Sequence, residues 1–94
     1  MLAELIDAVV GVDTHRDTHE VELALPTGTV IGTRKISNDS SGFAELLAWI
    51  LDNAPGPRVV VSIEGTRSFG VGLARAVAAA GLTVIECEQP NRKA

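Results

Sequence analysis

Apolar and polar positions recur along this chain with two different periods, and the change from one to the other separates strands from helices. Ala8-Val9-Val10-Gly11-Val12 is a compact, valine-rich run, long enough for a buried strand, and it ends where Asp13 opens a polar stretch. From Thr18 to Leu25 the period is two, with Val21, Leu23 and Leu25 on one face and Glu20 and Glu22 on the other. Pro26-Thr27-Gly28 follows as turn chemistry, proline fixing φ and glycine admitting a positive φ. Thr29 to Ile36 resumes as a strand, so residues 18–36 read as a β-hairpin.

Behind Asn38-Asp39-Ser40-Ser41, a cluster of residue types that cap helix N-termini, the period lengthens. Phe43, Leu46, Leu47, Ile50 and Leu51 fall on one side of a helix and are expected in the core. Asn53-Ala54-Pro55-Gly56-Pro57 stops that helix, and Val59 to Ile63 is a second short buried-strand pattern. A second helix is expected from about Ser68 to Ala80, its inner face marked by Leu73, Ala76, Val77 and Ala80. Gly81 stands where a left-handed C-cap belongs, Thr83 to Cys87 is a last strand, and Pro90 to Ala94 trails off polar.

The order β-β-β-α-β-α-β predicts an α/β fold with a mixed sheet. The first three strands form an antiparallel meander, and the last two add parallel to strand one. Strand one is expected at the centre, because its valines are apolar on both faces. The order matches the start of a ribonuclease H-like fold and the start of an actin/sugar-kinase-like ATPase half.

With 94 residues, residues 1–94 read as a single domain with one modest core. A hydrophobic share of 46% excludes intrinsic disorder. No apolar run reaches the roughly 18 residues of a membrane span, and no basic flank precedes the N-terminal apolar stretch as in a secretory signal. The single cysteine, Cys87, excludes an internal disulfide, fits a reducing cytoplasmic compartment, and is expected as a small buried apolar residue. A net charge of −4 argues against the chain being a basic nucleic-acid clamp by itself.

The chemistry gathers at strand ends. Asp13 ends the first strand and Glu64 the fourth; if these strands are parallel neighbours, both carboxylates emerge at one sheet edge. Two convergent carboxylates suit a divalent cation, and strand ends also carry ordinary exposed acids, so position alone leaves both readings open. Asp13, His15, Asp17 and His19 would line one face if residues 13–19 were a straight strand. A polar stretch between two apolar strands more simply holds a hairpin turn, which makes these turn and surface residues. Gly65-Thr66-Arg67-Ser68 joins a strand to a helix, where amides and side chains of Thr66, Arg67 and Ser68 can meet a nucleic-acid phosphate or simply cap the helix. It lacks the Lys-Ser/Thr of a P-loop, and Gly70-Val71-Gly72 lacks the third glycine of a dinucleotide fingerprint.

Two stretches, Gly11-Val12-Asp13-Thr14-His15-Arg16-Asp17-Thr18-His19 and Ile63-Glu64-Gly65-Thr66-Arg67-Ser68-Phe69-Gly70, closely resemble the N-terminal signatures of the IS110-family transposases. Asn38, Gly42-Phe43, Leu46, Trp49-Ile50 and the Gly81-Leu82-Thr83-Val84 strand leading to Pro90 extend the resemblance over about residues 8–93. It implies a RuvC-like, ribonuclease H-type domain of a DEDD recombinase, with metal-dependent cleavage and transfer of DNA strands. Asp13 and Glu64 would be its first two acids, holding Mg²⁺ or Mn²⁺. The other two acids, and a separate domain with a serine nucleophile, are expected beyond Ala94, which makes the chain a truncated N-terminal piece with half a metal site. DNA, a structured guide RNA and self-association into a homo-oligomer are the partners it implies. An ATPase fragment and a non-catalytic nucleic-acid-binding or dimerisation module stand as alternatives.

Overall fold

The computed structural model describes residues 5–87. The chain runs β1 (Ala8–Thr14), β2 (Thr18–Ala24), β3 (Val30–Ser37), α1 (Ser40–Asn53), β4 (Val59–Glu64), α2 (Val71–Ala79) and β5 (Thr83–Cys87). The five strands form one mixed sheet in the order β3-β2-β1-β4-β5. β1 and β2, and β2 and β3, pair antiparallel, while β4 adds parallel to β1 and β5 parallel to β4. β1 is central, as its apolar run predicts. The expected tail from Pro90 to Ala94, and Glu88, lie outside the described residues.

Strict alternation divides the sheet into two unlike faces. Val10 and Val12, Val21 and Leu23, Ile36, and Val61 and Ile63 turn to one side and are buried there. Leu46 and Ile50 of α1 and Leu73 and Val77 of α2 close over them in a single core. The residues between, among them Gly11, Asp13, Glu20, Glu22, Ser62 and Glu64, line a groove of about 570 Å³ on the other side of the sheet. Register arranges that open face in rows. Lys35, Glu20 and Asp13 stand level, one position beyond the last β1–β4 pair, where Glu64 stands level with Cys87. The next row is Thr33, Glu22, Gly11, Ser62 and Ile85.

Local chemistry explains most element ends. The Asp39 carboxylate caps α1 by accepting from the Gly42 amide at 2.8 Å, and is steadied by the Ser37 hydroxyl at 2.8 Å. Those two hydrogen bonds hold its carboxyl below the usual value, the amide acting most strongly. Gly28 and Gly81 take positive φ at the hairpin turn and after α2, as their positions predict.

Three expectations need correction. Leu51 continues the apolar stripe of α1, yet it is 83% exposed, because the helix turns that position beyond the edge of the core. α2 begins at Val71 rather than near Ser68, since Gly65 takes φ +63° and residues 66–70 wind into tight turns before the helix starts. Leu73 and Val77 of its inner face are buried and Ala76 is half-buried, while Ala80, the cap residue after its end, is exposed. Cys87 is exposed rather than buried, because β5 is an edge strand and Cys87 points to the open face.

Gly42 marks the tightest packing between sheet and helix. A Cβ there would collide with the Ser37 carbonyl oxygen. Alanine normally stabilises a helix by up to about 1 kcal/mol over glycine. Here the clash dominates, so Gly42→Ala should destabilise the fold by about 1–3 kcal/mol, measured by urea unfolding.

Candidate functional site

The C-terminal ends of β1 and β4 open on one edge of the sheet, and the polar residues gather there. Val12 pairs with Ile63, so the following positions, Asp13 and Glu64, lie on adjacent strands at the same level. Neighbouring strands run about 4.8 Å apart. Both residues line the open groove, Asp13 exposed and Glu64 half-buried. Asp13 faces His15, whose Nε2 lies 3.4 Å from Oδ2. Between the strand ends the buried Thr14 hydroxyl donates to the Glu64 carbonyl at 3.2 Å, tying the backbone of one acid to the strand of the other.

Sequence reasoning missed Glu20 as a neighbour of Asp13. The signal was present, since Glu20 and Glu22 fall on the polar side of the β2 alternation. Only the β1–β2 register shows that Glu20 stands directly opposite Asp13. Lys35 continues the row on β3. Among the described residues no group of three His, Cys, Asp or Glu side chains closes into a cation cage.

The segment from Asp13 to His19 is not one straight strand. The His15 amide donates to the Thr18 carbonyl at 3.1 Å, closing a turn between β1 and β2. His15 and Asp17 are exposed there, so the polar stretch divides as turn chemistry predicts. His19 departs from the surface reading. It is fully buried on the helix side of β2, its ring parallel to Phe43 at a centroid separation of 6.4 Å. Alternation sends it inward with Val21 and Leu23.

Thr66, Arg67 and Ser68 lie in the wound loop between β4 and α2, beside Glu64. Gly65 accepts at its carbonyl from the Ser68 and Gly70 amides at 2.9 and 2.8 Å. Gly65 takes φ +63°, which favours glycine, and a Cβ there would sit tightly, 3.0 Å from Ser68 Oγ and 3.2 Å from Thr14 Oγ1. Arg67 and Ser68 are exposed and Thr66 half-buried. Asn38 fastens this loop to the β1–β2 turn, its Nδ2 donating to the Arg16 carbonyl at 2.9 Å and to the Phe69 carbonyl at 3.3 Å.

The sequence model of a transposase family, the DEDD transposases of IS110 type, matches residues 10–93. Among solved structures, the Pelota protein of Thermoplasma acidophilum is similar with a TM-score of 0.53 at 18% identity, over 93% of this chain and 29% of that one. The PPX-GPPA enzyme of Aquifex aeolicus is similar with a TM-score of 0.47 at 15% identity, over 86% of this chain and 36% of that one. The chain therefore spans about a third of the length of either protein, and the first likeness concerns the fold alone. No curated protein matches it. Among the described residues no helix is long and apolar enough to cross a membrane.

His19 gives the site edge a pH dependence. Its Nδ1 accepts from the His15 amide at 3.3 Å, while Nε2 is buried with no hydrogen-bond partner among the described residues. Burial pushes the imidazole below its ordinary value of 6.5, outweighing the Asn38 side chain and the Thr18 backbone, which favour the proton. The folded chain therefore resists a proton that the unfolded chain accepts. Its contribution is complete above 6.5 and is lost as pH falls from there through the lowered folded value. Asp7 and Asp39, held below 3.8 mainly by hydrogen bonds from Arg58 and from the Gly42 amide respectively, act only at lower pH. The melting temperature should fall between pH 7 and about pH 5. His19→Gln should flatten that slope; an unchanged slope in the variant assigns the pH dependence elsewhere.

Proposed function

The chain belongs to the DEDD transposase family of IS110 type, and on that premise we propose that it is the N-terminal part of a ribonuclease H-like nuclease domain of RuvC type. The intact protein would cleave and transfer DNA strands during transposition. The observation that carries this reading is the β1–β4 register, in which Asp13 and Glu64 follow the Val12–Ile63 pair onto the same open face. The order β3-β2-β1-β4-β5, a meander continued by parallel strands, supports it as the order with which such a domain begins.

Asp13 and Glu64 would be this domain's ligands for Mg²⁺ or Mn²⁺. Their hard oxygen donors fit a cation that keeps several waters, and two carboxylates supply part of a coordination shell. The remaining ligands would come from elsewhere in the intact protein. Bound divalent ions stabilise both the attacking and the leaving oxygen in phosphodiester cleavage. The chain's own residues do the positioning. Thr14 fixes the backbone at Glu64, and Thr66, Arg67 and Ser68 would hold a phosphate of the DNA beside the acids. The guide RNA and self-association belong to the same proposal. No feature of the β1–β2 turn favours the ATPase alternative, since its residues, His15-Arg16-Asp17, include no glycine to wrap a phosphate.

The decisive experiment uses the full-length transposase. Asp13→Asn and Glu64→Gln preserve shape and remove ligand charge, so each should lower strand cleavage at least about a hundredfold. DNA affinity and melting temperature should stay close to wild type. Cleavage at the wild-type rate by either variant would refute the assignment. Residues 1–94 alone, carrying two of the acids, should show no Mg²⁺-dependent nicking of supercoiled plasmid.

A further inference from the structure

We propose that Phe69 is a stacking platform for an unpaired nucleobase, with the flanking phosphates held by Arg16 and Arg67; this rests on the nucleic-acid reading of the 65–70 loop. The chain has one Trp, two Phe and no Tyr, so an aromatic ring left in solvent is conspicuous. Trp49 lies over Gly32 and packs on the core, and Phe43 packs there against His19 and Gly72. Phe69 alone of the three stands outside the core, 48% exposed.

Its exposure does not come from a loose loop. The Gly65 carbonyl accepts the Ser68 and Gly70 amides, and the Phe69 carbonyl is held by Asn38. A Cβ at Gly70 would lie 2.7 Å from the Glu64 carbonyl, so the backbone just after Phe69 is pressed against the end of β4. A ring carried on a backbone held in this way costs less to order when a flat partner covers it.

The surroundings specify the partner. Asn38 clips the Phe69 loop to the turn carrying Arg16, so two exposed arginines, Arg16 and Arg67, flank the ring's loop at the acid-bearing edge. Arg34 and Arg58 are engaged by Glu45 and Asp7, whereas Arg16 and Arg67 form no salt bridge among the described residues. An exposed apolar ring on a loop that carries one exposed arginine and is joined to a turn that carries another, a few residues from Glu64, fits a polyanion that carries flat apolar faces. In a duplex those faces are covered by neighbouring bases, so the ligand is a single-stranded or locally opened segment. Phenylalanine offers no hydrogen-bonding group, so the contact should not discriminate among bases.

The test measures fluorescence anisotropy of a labelled oligothymidylate of roughly 12 nucleotides and of a duplex of equal length, at low salt. Phe69→Ala and Phe69→Leu should each weaken single-strand binding by the 94-residue chain about tenfold and leave duplex binding within about twofold. Leucine keeps the apolar bulk and loses the π face, so it separates stacking from simple apolar packing. Phe69→Trp should retain affinity, and its added indole emission should be quenched by the oligonucleotide. Arg67→Ala should weaken binding of both DNAs. Full single-strand affinity in Phe69→Leu overturns the stacking role while Arg67→Ala still upholds the loop contact. Absence of binding to either DNA by the wild-type chain overturns both.

Discussion

The parallel pairing of β1 with β4 is the constraint that the rest of the molecule inherits. Val10 stands opposite Val61 and Val12 opposite Ile63, all buried, each contributing about 1.5–3 kcal/mol of apolar burial. Side chains alternate strictly, so burying these four sends Gly11, Asp13, Ser62 and Glu64 to the other face. A register slip of one residue would carry an acid beneath the helices. An unpaired buried carboxylate costs more than any single apolar contact contributes. The position of the acids is therefore enforced by the core.

Where the core ends, polar residues take over: Thr14 at the end of β1 and His19 near the start of β2, both buried, and Asn38 in the bend after β3. Each fastens a loop: Thr14 the start of the 65–70 segment, His19 the His15 amide, and Asn38 both loops at once. Loops at an open sheet edge can be fixed without being covered, and side-chain hydrogen bonds to backbone do this without adding apolar bulk. The arrangement has a cost, visible in the buried Nε2 of His19, which has no hydrogen-bond partner among the described residues.

The sequence made most of this fold legible because its two periods are clean. Strand order, the hairpin, the Asp39 cap and the Gly81 terminator all follow from residues within a few positions of one another. The misreadings have a common cause, which is that helical or strand phase says which side a residue faces and not how far the neighbouring layer extends. Leu51 is in phase with Ile50 and Leu47 but beyond the reach of the sheet. Cys87 belongs to an edge strand and lines the open groove. His19 reads as polar surface until the turn at His15–Asp17 is counted, after which its parity with Val21 makes burial inevitable. Glu20 needed the cross-strand register, which no local pattern contains. Topology brings Asp13 and Glu64 to one sheet edge, as the register bears out, whereas their role as a metal pair is what the family resemblance implies.

Net charge is a poor guide to how such a surface meets a polyanion. A total of −4 describes the field far from the molecule, where salt screens it within about 10 Å. At the sheet edge acids and cations stand side by side in fixed positions. Asp13 and Glu20 share one row of the open face with Lys35, Glu64 follows on β4, and Arg16 and Arg67 stand on the two loops that Asn38 joins. That ordering is a property of where the side chains emerge, fixed in turn by the register of two short valine-rich strands.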